Sequence, residues 1–154
     1  MDMDMATLEE VRGEMEKDEL DYPALATLYG ATALPHLQAL VVEDDPRIAS
    51  KAAYLAGLIA GPTSAEVVTL AAQSGHDVVR VAAAAAFALL PTESALVVAG
   101  QLLADGDPGV RARAAKSAVT INHPSLVVKL QAMATQDPEP FVRELALQMI
   151  SSPP

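Results

Sequence analysis

The sequence predicts an all-α array of stacked antiparallel helix pairs, about four to five in number. Three observations carry that expectation. A short apolar-and-basic segment recurs with its anchors Ile48, Val79, Val110 and Val142 spaced by 31, 31 and 32 residues, and a fixed period in this range is the mark of a repeat architecture. Apolar residues make up 51% of the 154-residue chain but aromatics only 3%, with no tryptophan. Alanine, leucine, valine and isoleucine must therefore fill the interior, and helices so rich in alanine can pack closely. Finally, proline and glycine fall where each helix should end.

Taken in order, the elements follow from these signals. Residues 5–17 carry Met5, Leu8, Val11 and Met15 at helical spacing, and 23–31 completes a degenerate pair, so residues 1–32 are expected to cap the array with an acidic outer face. Four pairs then span 33–61, 62–91, 92–122 and 123–154. First helices are expected near 33–43, 64–74, 93–104 and 125–136, and second helices near 46–60, 77–90, 108–121 and 139–151. Asp45-Pro46, Asp107-Pro108 and Asp137-Pro138 each combine a capping residue with a proline suited to the first helical turn. In the second copy His76 is expected to cap in place of aspartate, and the last copy reads as carrying one inserted residue after Asp137-Pro138. Gly61-Pro62, Pro91 and His123-Pro124 stop the second helices, since proline cannot continue a helix interior.

The segment Asp107-Pro108-Gly109-Val110-Arg111 with Ala114-Ala115 resembles the HEAT repeat family in its short, bilin-lyase-like form, and the resemblance covers residues 33–151. It implies a right-handed α-solenoid with first helices on the convex face and second helices on the concave face, and it implies no reaction. The chain departs from the pattern at Ala49, where an arginine is expected, with Lys51 as a candidate substitute. The polar columns Arg80, Arg111, Arg143 and Asp45, Asp77, Asp107, Asp137 are expected to be framework, each arginine pairing with a carboxylate or helix end in its own or the next repeat. An arginine left unpaired in a tight stack is costly.

Composition excludes several functions. There is no cysteine, which removes disulfides, thiolate zinc sites and thiol nucleophiles. His36, His76 and His123 are followed by Leu37, Asp77 and Pro124 rather than by a partner at metal-ligand spacing, so neither metal nor cofactor is expected. No nucleophile elbow, phosphate loop or dinucleotide fingerprint occurs. A net charge of −10 argues against nucleic acid, whose binding needs clustered Lys and Arg. Residues 1–21 hold nine acids against Arg12 and Lys17, a net of −7, leaving only −3 for the rest. The opening lacks the basic and apolar regions of a secretory signal, and the longest apolar run, Val81–Leu90, is too short to span a bilayer. A cytoplasmic protein that binds neither nucleic acid nor membrane is expected.

The remaining candidate is the outward face of the second helices. Positions two, three and six after each anchor are Ser50, Lys51, Tyr54; Val81, Ala82, Ala85; Ala112, Arg113, Lys116; and Glu144, Leu145, Gln148. They form an expected groove, small and apolar in its middle and basic toward its ends, for a protein or peptide with acidic flanks. Phe141, Leu145, Met149 and Ile150 mark a second candidate interface at the C-terminal repeat, with a homodimer as one use. The leading expectation is a non-enzymatic scaffold or adaptor. The alternative, drawn from the resemblance, is an accessory or lyase-like protein handling a small molecule or bilin-type cofactor.

Overall fold

Residues 6–151 are described by a computed structural model, and among them every regular element is helical. Helices α1 (Leu8–Met15) and α2 (Tyr22–Tyr29) come first, and a 3-10 turn (Gly30–Ala33) leads into α3 (Leu34–Val41). Then follow α4 (Pro46–Ile59), α5 (Ser64–Ala72), α6 (Asp77–Ala86), α7 (Thr92–Leu103), α8 (Pro108–Ile121), α9 (Pro124–Gln136) and α10 (Pro140–Ser151). The four pairs are α3/α4, α5/α6, α7/α8 and α9/α10. Second helices α4, α6, α8 and α10 pack one on the next in chain order, and first helices α3, α5, α7 and α9 do the same. The result is an α-solenoid.

Local chemistry sets the helix ends. Asp45 and Asp107 accept from the backbone N–H of Arg47 and Val110, satisfying donors that the first turn leaves orphaned. His123 caps α9 through its ring, accepting from the N–H of Ser125 at 3.2 Å. The second helix of the α5/α6 pair ends differently from the expected 77–90. After Ala86 the chain tightens into a 3-10 turn over Phe87–Leu89, and Leu90 is extended at ψ 161°. Pro91 is the cause, since a residue before proline is pushed out of the helical region.

The core runs the length of the stack. The anchors Val79, Val110 and Val142 are fully buried and Ile48 is 3% exposed, each contributing about 2 kcal/mol by burial. Four and five residues later come Ala52 and Ala53, Ala83 and Ala84, and Ala114 and Ala115, all fully buried. Their small size lets successive second helices approach closely. At Gly57 a Cβ atom would lie 3.0 Å from the Ala86 Cβ and 3.1 Å from its carbonyl oxygen, so α4 and α6 tolerate nothing larger there.

An ionic ladder runs beside this core. Arg80 Nε donates to Asp105 Oδ2 at 2.9 Å, and Nη1 to the Ser74 carbonyl at 2.9 Å. Arg111 repeats the arrangement one repeat later: Nε and Nη2 grip Asp137 at 2.8 and 3.0 Å, and Nη1 reaches the Asp105 carbonyl at 2.9 Å. Arg143 donates to the Asp137 carbonyl at 2.6 Å. Each arginine thus ties its own inter-helix turn backward, and Arg80 and Arg111 also tie the next repeat forward. The accepting carboxylates are themselves fixed, because Asp105 and Asp137 accept from the N–H of Asp107 and Glu139.

Four expectations need correction. The ladder acids are not the column Asp45, Asp77, Asp107, Asp137. The arginine one position past an anchor reaches the residue five before the next anchor, which is Asp105 or Asp137, whereas Asp45 and Asp107 cap helices and Asp77 stands exposed at the first position of α6. For the same reason the extra residue of the last copy does not follow Asp137-Pro138: Asp137 matches Asp105, Glu139 stands before Pro140 as Asp107 stands before Pro108, and the one additional residue falls earlier, between Arg111 and Asp137. His76 occupies the cap position of α6 without a side-chain cap bond. Its ring turns instead toward Asp44 at 3.4 Å, and Ser74 Oγ accepts from the His76 N–H. Lys51 does not substitute for the missing arginine at Ala49, because its ammonium donates to the Lys17 carbonyl on the other side of α4.

The Arg111–Asp137 pair has side chains only 10% and 5% exposed. Removing one partner strands a buried charge, so Asp137→Ala should cost about 3 kcal/mol and lower the melting temperature by roughly 10 °C, measured by circular dichroism. Burial raises the Asp137 pKa, but the Arg111 guanidinium and the Glu139 N–H outweigh it and leave the carboxyl below its ordinary value. A depressed folded-state pKa gives stability that is complete above the unfolded value of about 3.9 and is lost as pH falls through the folded value. The melting-temperature gap between the native chain and Asp137→Asn should accordingly hold from pH 7 to 5 and shrink below about pH 4.

Candidate functional site

With anchors and alanines turned inward, helical geometry carries positions two, three and six outward. The structure leaves every one of them at least partly accessible: Ser50, Lys51, Tyr54, Val81, Ala82, Ala85, Ala112, Arg113 and Leu145 are half-buried, and Lys116, Glu144 and Gln148 are exposed. They lie along one face of α4, α6, α8 and α10.

That face is not uniformly open. The segment after α1 crosses its first part, where the Lys17 carbonyl takes the Lys51 ammonium and the Tyr22 ring packs edge-on to Tyr54 with centroids 5.0 Å apart. Such an edge-to-face contact is a favoured aromatic geometry, and the burial that comes with it raises the Tyr22 pKa above its ordinary value. The expected cation at that end of the groove is therefore engaged within the chain. Arg113 is also anchored: its Nη1 donates to Ser117 Oγ at 3.1 Å, while the buried Ser117 hydroxyl donates across the repeat boundary to the Ala84 carbonyl at 2.6 Å. Beside it, Lys116 stands exposed.

Between α8 and α10 the face opens into a depression of about 430 Å³, lined by Ala112, Lys116, Phe141, Glu144, Leu145 and Gln148. Ala112 forms a low floor because it has no side chain beyond Cβ, and Phe141 stands 52% exposed at the rim. The same site thus offers an aromatic ring, an aliphatic side chain, one cation and one anion. The spacing from the anchors points to these residues; the depression itself depends on the small side chain of Ala112 facing the larger ones of α10. Of the other C-terminal candidates, Met149 and Ile150 line a separate cleft of about 350 Å³ with Ala118, Val127 and Leu130.

One residue in the acidic N-terminal region has a role that its helical pattern did not reveal. Arg12 on α1 bonds to the Glu43 carboxylate in the α3–α4 turn, as Arg80 bonds to Asp105. Val11-Arg12 is therefore a further anchor and arginine, and the two carboxylates missed as acceptors, Glu43 and Asp105, share one place two residues before a helix cap. Glu43 raises the Arg12 pKa through this hydrogen bond.

Among the described residues no group of three or more His, Asp and Glu side chains is placed to hold a metal ion, and no helix is long and apolar enough to cross a membrane. His36 serves the fold: its Nε2 lies 2.9 Å from the Ala6 carbonyl and joins α3 to the start of the described chain.

A family model described as HEAT repeats matches residues 64–151, which begins at α5 and ends with α10. Among curated proteins no relative matches. The matched stretch covers more than half of the chain and contains three complete helix pairs, two of them joined forward by the arginine ladder; the chain belongs to the HEAT repeat family.

Proposed function

We propose that this protein is a non-enzymatic scaffold that seats a segment of another protein on the exposed face of its second helices, with the α8–α10 depression as the main point of contact. HEAT repeats in general are protein-interaction scaffolds, and repeat stacks present extended surfaces suited to that use. The observation that carries the assignment is the grouping of Phe141, Leu145 and Lys116 around a small-residue floor. Aromatic anchors that become buried on binding supply much of the energy in protein interfaces, and a cation beside them fixes orientation.

The partner segment that fits presents an apolar side chain to Phe141 and Leu145 and a carboxylate to Lys116. It leaves the α4 end of the face alone, because the Lys17–Tyr22 crossing already covers Lys51 and Tyr54 there. Binding is therefore assigned to the part of the face built by α6, α8 and α10.

Affinity capture with crosslinking from the source cell provides the test. The variant carrying Phe141→Ser and Lys116→Glu should retain the native melting curve, since both side chains are exposed, and should lose the crosslinked partner at least tenfold. Retention of the same partners by this folded variant would overturn the assignment.

A further inference from the structure

The chain already seats one segment on the face of its second helices. Helix α1 holds the place of a second helix, because its Arg12 pairs with Glu43 in the α3–α4 turn as Arg80 pairs with Asp105. From α4, α6 and α8 the chain reaches the next first helix through residues 60–63, 87–91 and 122–123, but from α1 it reaches α3 through residues 16–33, and α2 lies within that insert. The inserted helix packs on α4. Its Leu25 is buried, Tyr22, Ala26 and Tyr29 are half-buried against the core, and Ala24, Thr27 and Leu28 stand exposed. That is the i, i+3, i+4, i+7 pattern of an amphipathic helix laid into a groove.

The contacts around α2 show what such a helix asks of the face. Lys51 gives its ammonium to the Lys17 carbonyl in the approach to α2, and Tyr54 meets Tyr22 in its first turn. The approach itself is acidic: Asp18 and Glu19 precede Asp21, whose carboxylate caps α2 by accepting from the Ala24 N–H at 3.1 Å. The α8–α10 depression offers the same two chemistries, a cation at Lys116 and an aromatic ring at Phe141, around the low floor of Ala112. Lys116, and Arg113 one turn before it, take part in no ion pair among the described residues. Two turns of helix span about 12 Å at about 1.5 Å per residue, and packed helices stand about 8–10 Å apart, so a helix as short as α2 reaches from α8 to α10. Backbone chemistry points the same way. A helix satisfies most of its own N–H and C=O groups, whereas an extended segment needs partners for them, and the side chains of Ala112, Phe141 and Leu145 offer it none.

We infer, resting on the proposed seat at the α8–α10 depression, that the partner segment is a short amphipathic helix docked there as α2 docks on α4. It carries apolar side chains, one of them aromatic, at i, i+3 and i+7, which pack against Phe141 and Leu145. Carboxylates ahead of its N-cap meet Lys116 and Arg113, an arrangement that also places acids at the positive end of the helix dipole. With Lys116 on α8 and Glu144 on α10, the acidic end of the partner helix lies over α8.

Selection of a random library of displayed peptides against the full chain provides the test. Binders are expected to share apolar positions at i, i+3 and i+7 with aspartate or glutamate ahead of the first, and to bind the Phe141→Ser, Lys116→Glu variant at least tenfold more weakly. In a synthetic copy of a recovered peptide, proline in the middle of the pattern should weaken binding at least tenfold, because it breaks a helix; unchanged binding of the proline copy overturns the inference. Binders whose apolar residues alternate at i and i+2, and which are lost with the same variant, overturn the helical partner and leave the α8–α10 seat standing. Binders that hold the variant as tightly as the native chain overturn both. A library that yields no binder overturns the inference, while the crosslinking capture decides the seat.

Discussion

Close approach of consecutive second helices is the constraint from which the other features follow. Alanine at the fourth and fifth positions after Ile48, Val79 and Val110 leaves no side chain to hold the helices apart, and the Gly57–Ala86 contact shows how little room remains between α4 and α6. A shared interface of this kind repeats its register, because shifting one helix along another would lift the anchors out of the core. The same register brings the guanidinium groups of Arg80 and Arg111 within reach of the following turn. It also decides which side chains are left to face outward. The shortage of aromatics noted in the composition is thus a requirement of the packing.

The N-terminal region does two jobs that its acidity conceals. Arg12 extends the ladder to the first complete pair through Glu43, so a helix without the Asp-Pro signature behaves as part of the array. The chain after it then crosses α4 and takes up Lys51 and Tyr54. The crossing leaves less of the outward second-helix face open along α4. The acidic residues of α1 and of the segment after it lie at the other end of the array from the α8–α10 depression, where Lys116 and Glu144 balance.

Periodicity made the architecture legible, because the anchors and the proline stops each act within one repeat. The positions that point outward were legible for the same reason: they follow from helical spacing alone. What one repeat could not reveal was pairing between repeats. Asp105 and Glu43 lie outside the matched segments, so a column drawn through Asp45, Asp77, Asp107 and Asp137 joined residues with different jobs. The signal that identifies them is covariation inside the chain, an acid two places before a cap wherever the preceding anchor is followed by arginine. His76 was misread because its place in the pattern specifies a backbone conformation, while its imidazole had a carboxylate, Asp44, within reach on the preceding turn.

The substitution of Ala49 and Ser74 for an arginine and its acid makes the array uneven. The α4–α6 boundary keeps its apolar contact, the Ser50 hydroxyl bond to the Val78 carbonyl and the His76–Asp44 contact between the adjoining turns, but among the described residues no guanidinium spans it. Apolar surfaces resist separation without strongly resisting twist, whereas a two-point ion pair resists both. The guanidinium ties therefore fall in two groups, Arg12 on one side and Arg80 and Arg111 on the other, separated by the close α4–α6 packing at Gly57. The family match begins just after that packing contact in the chain, at Ser64. At the one boundary without a guanidinium tie, the fit of small side chains at Gly57 and Ala86 takes over the role that the ion pairs have elsewhere.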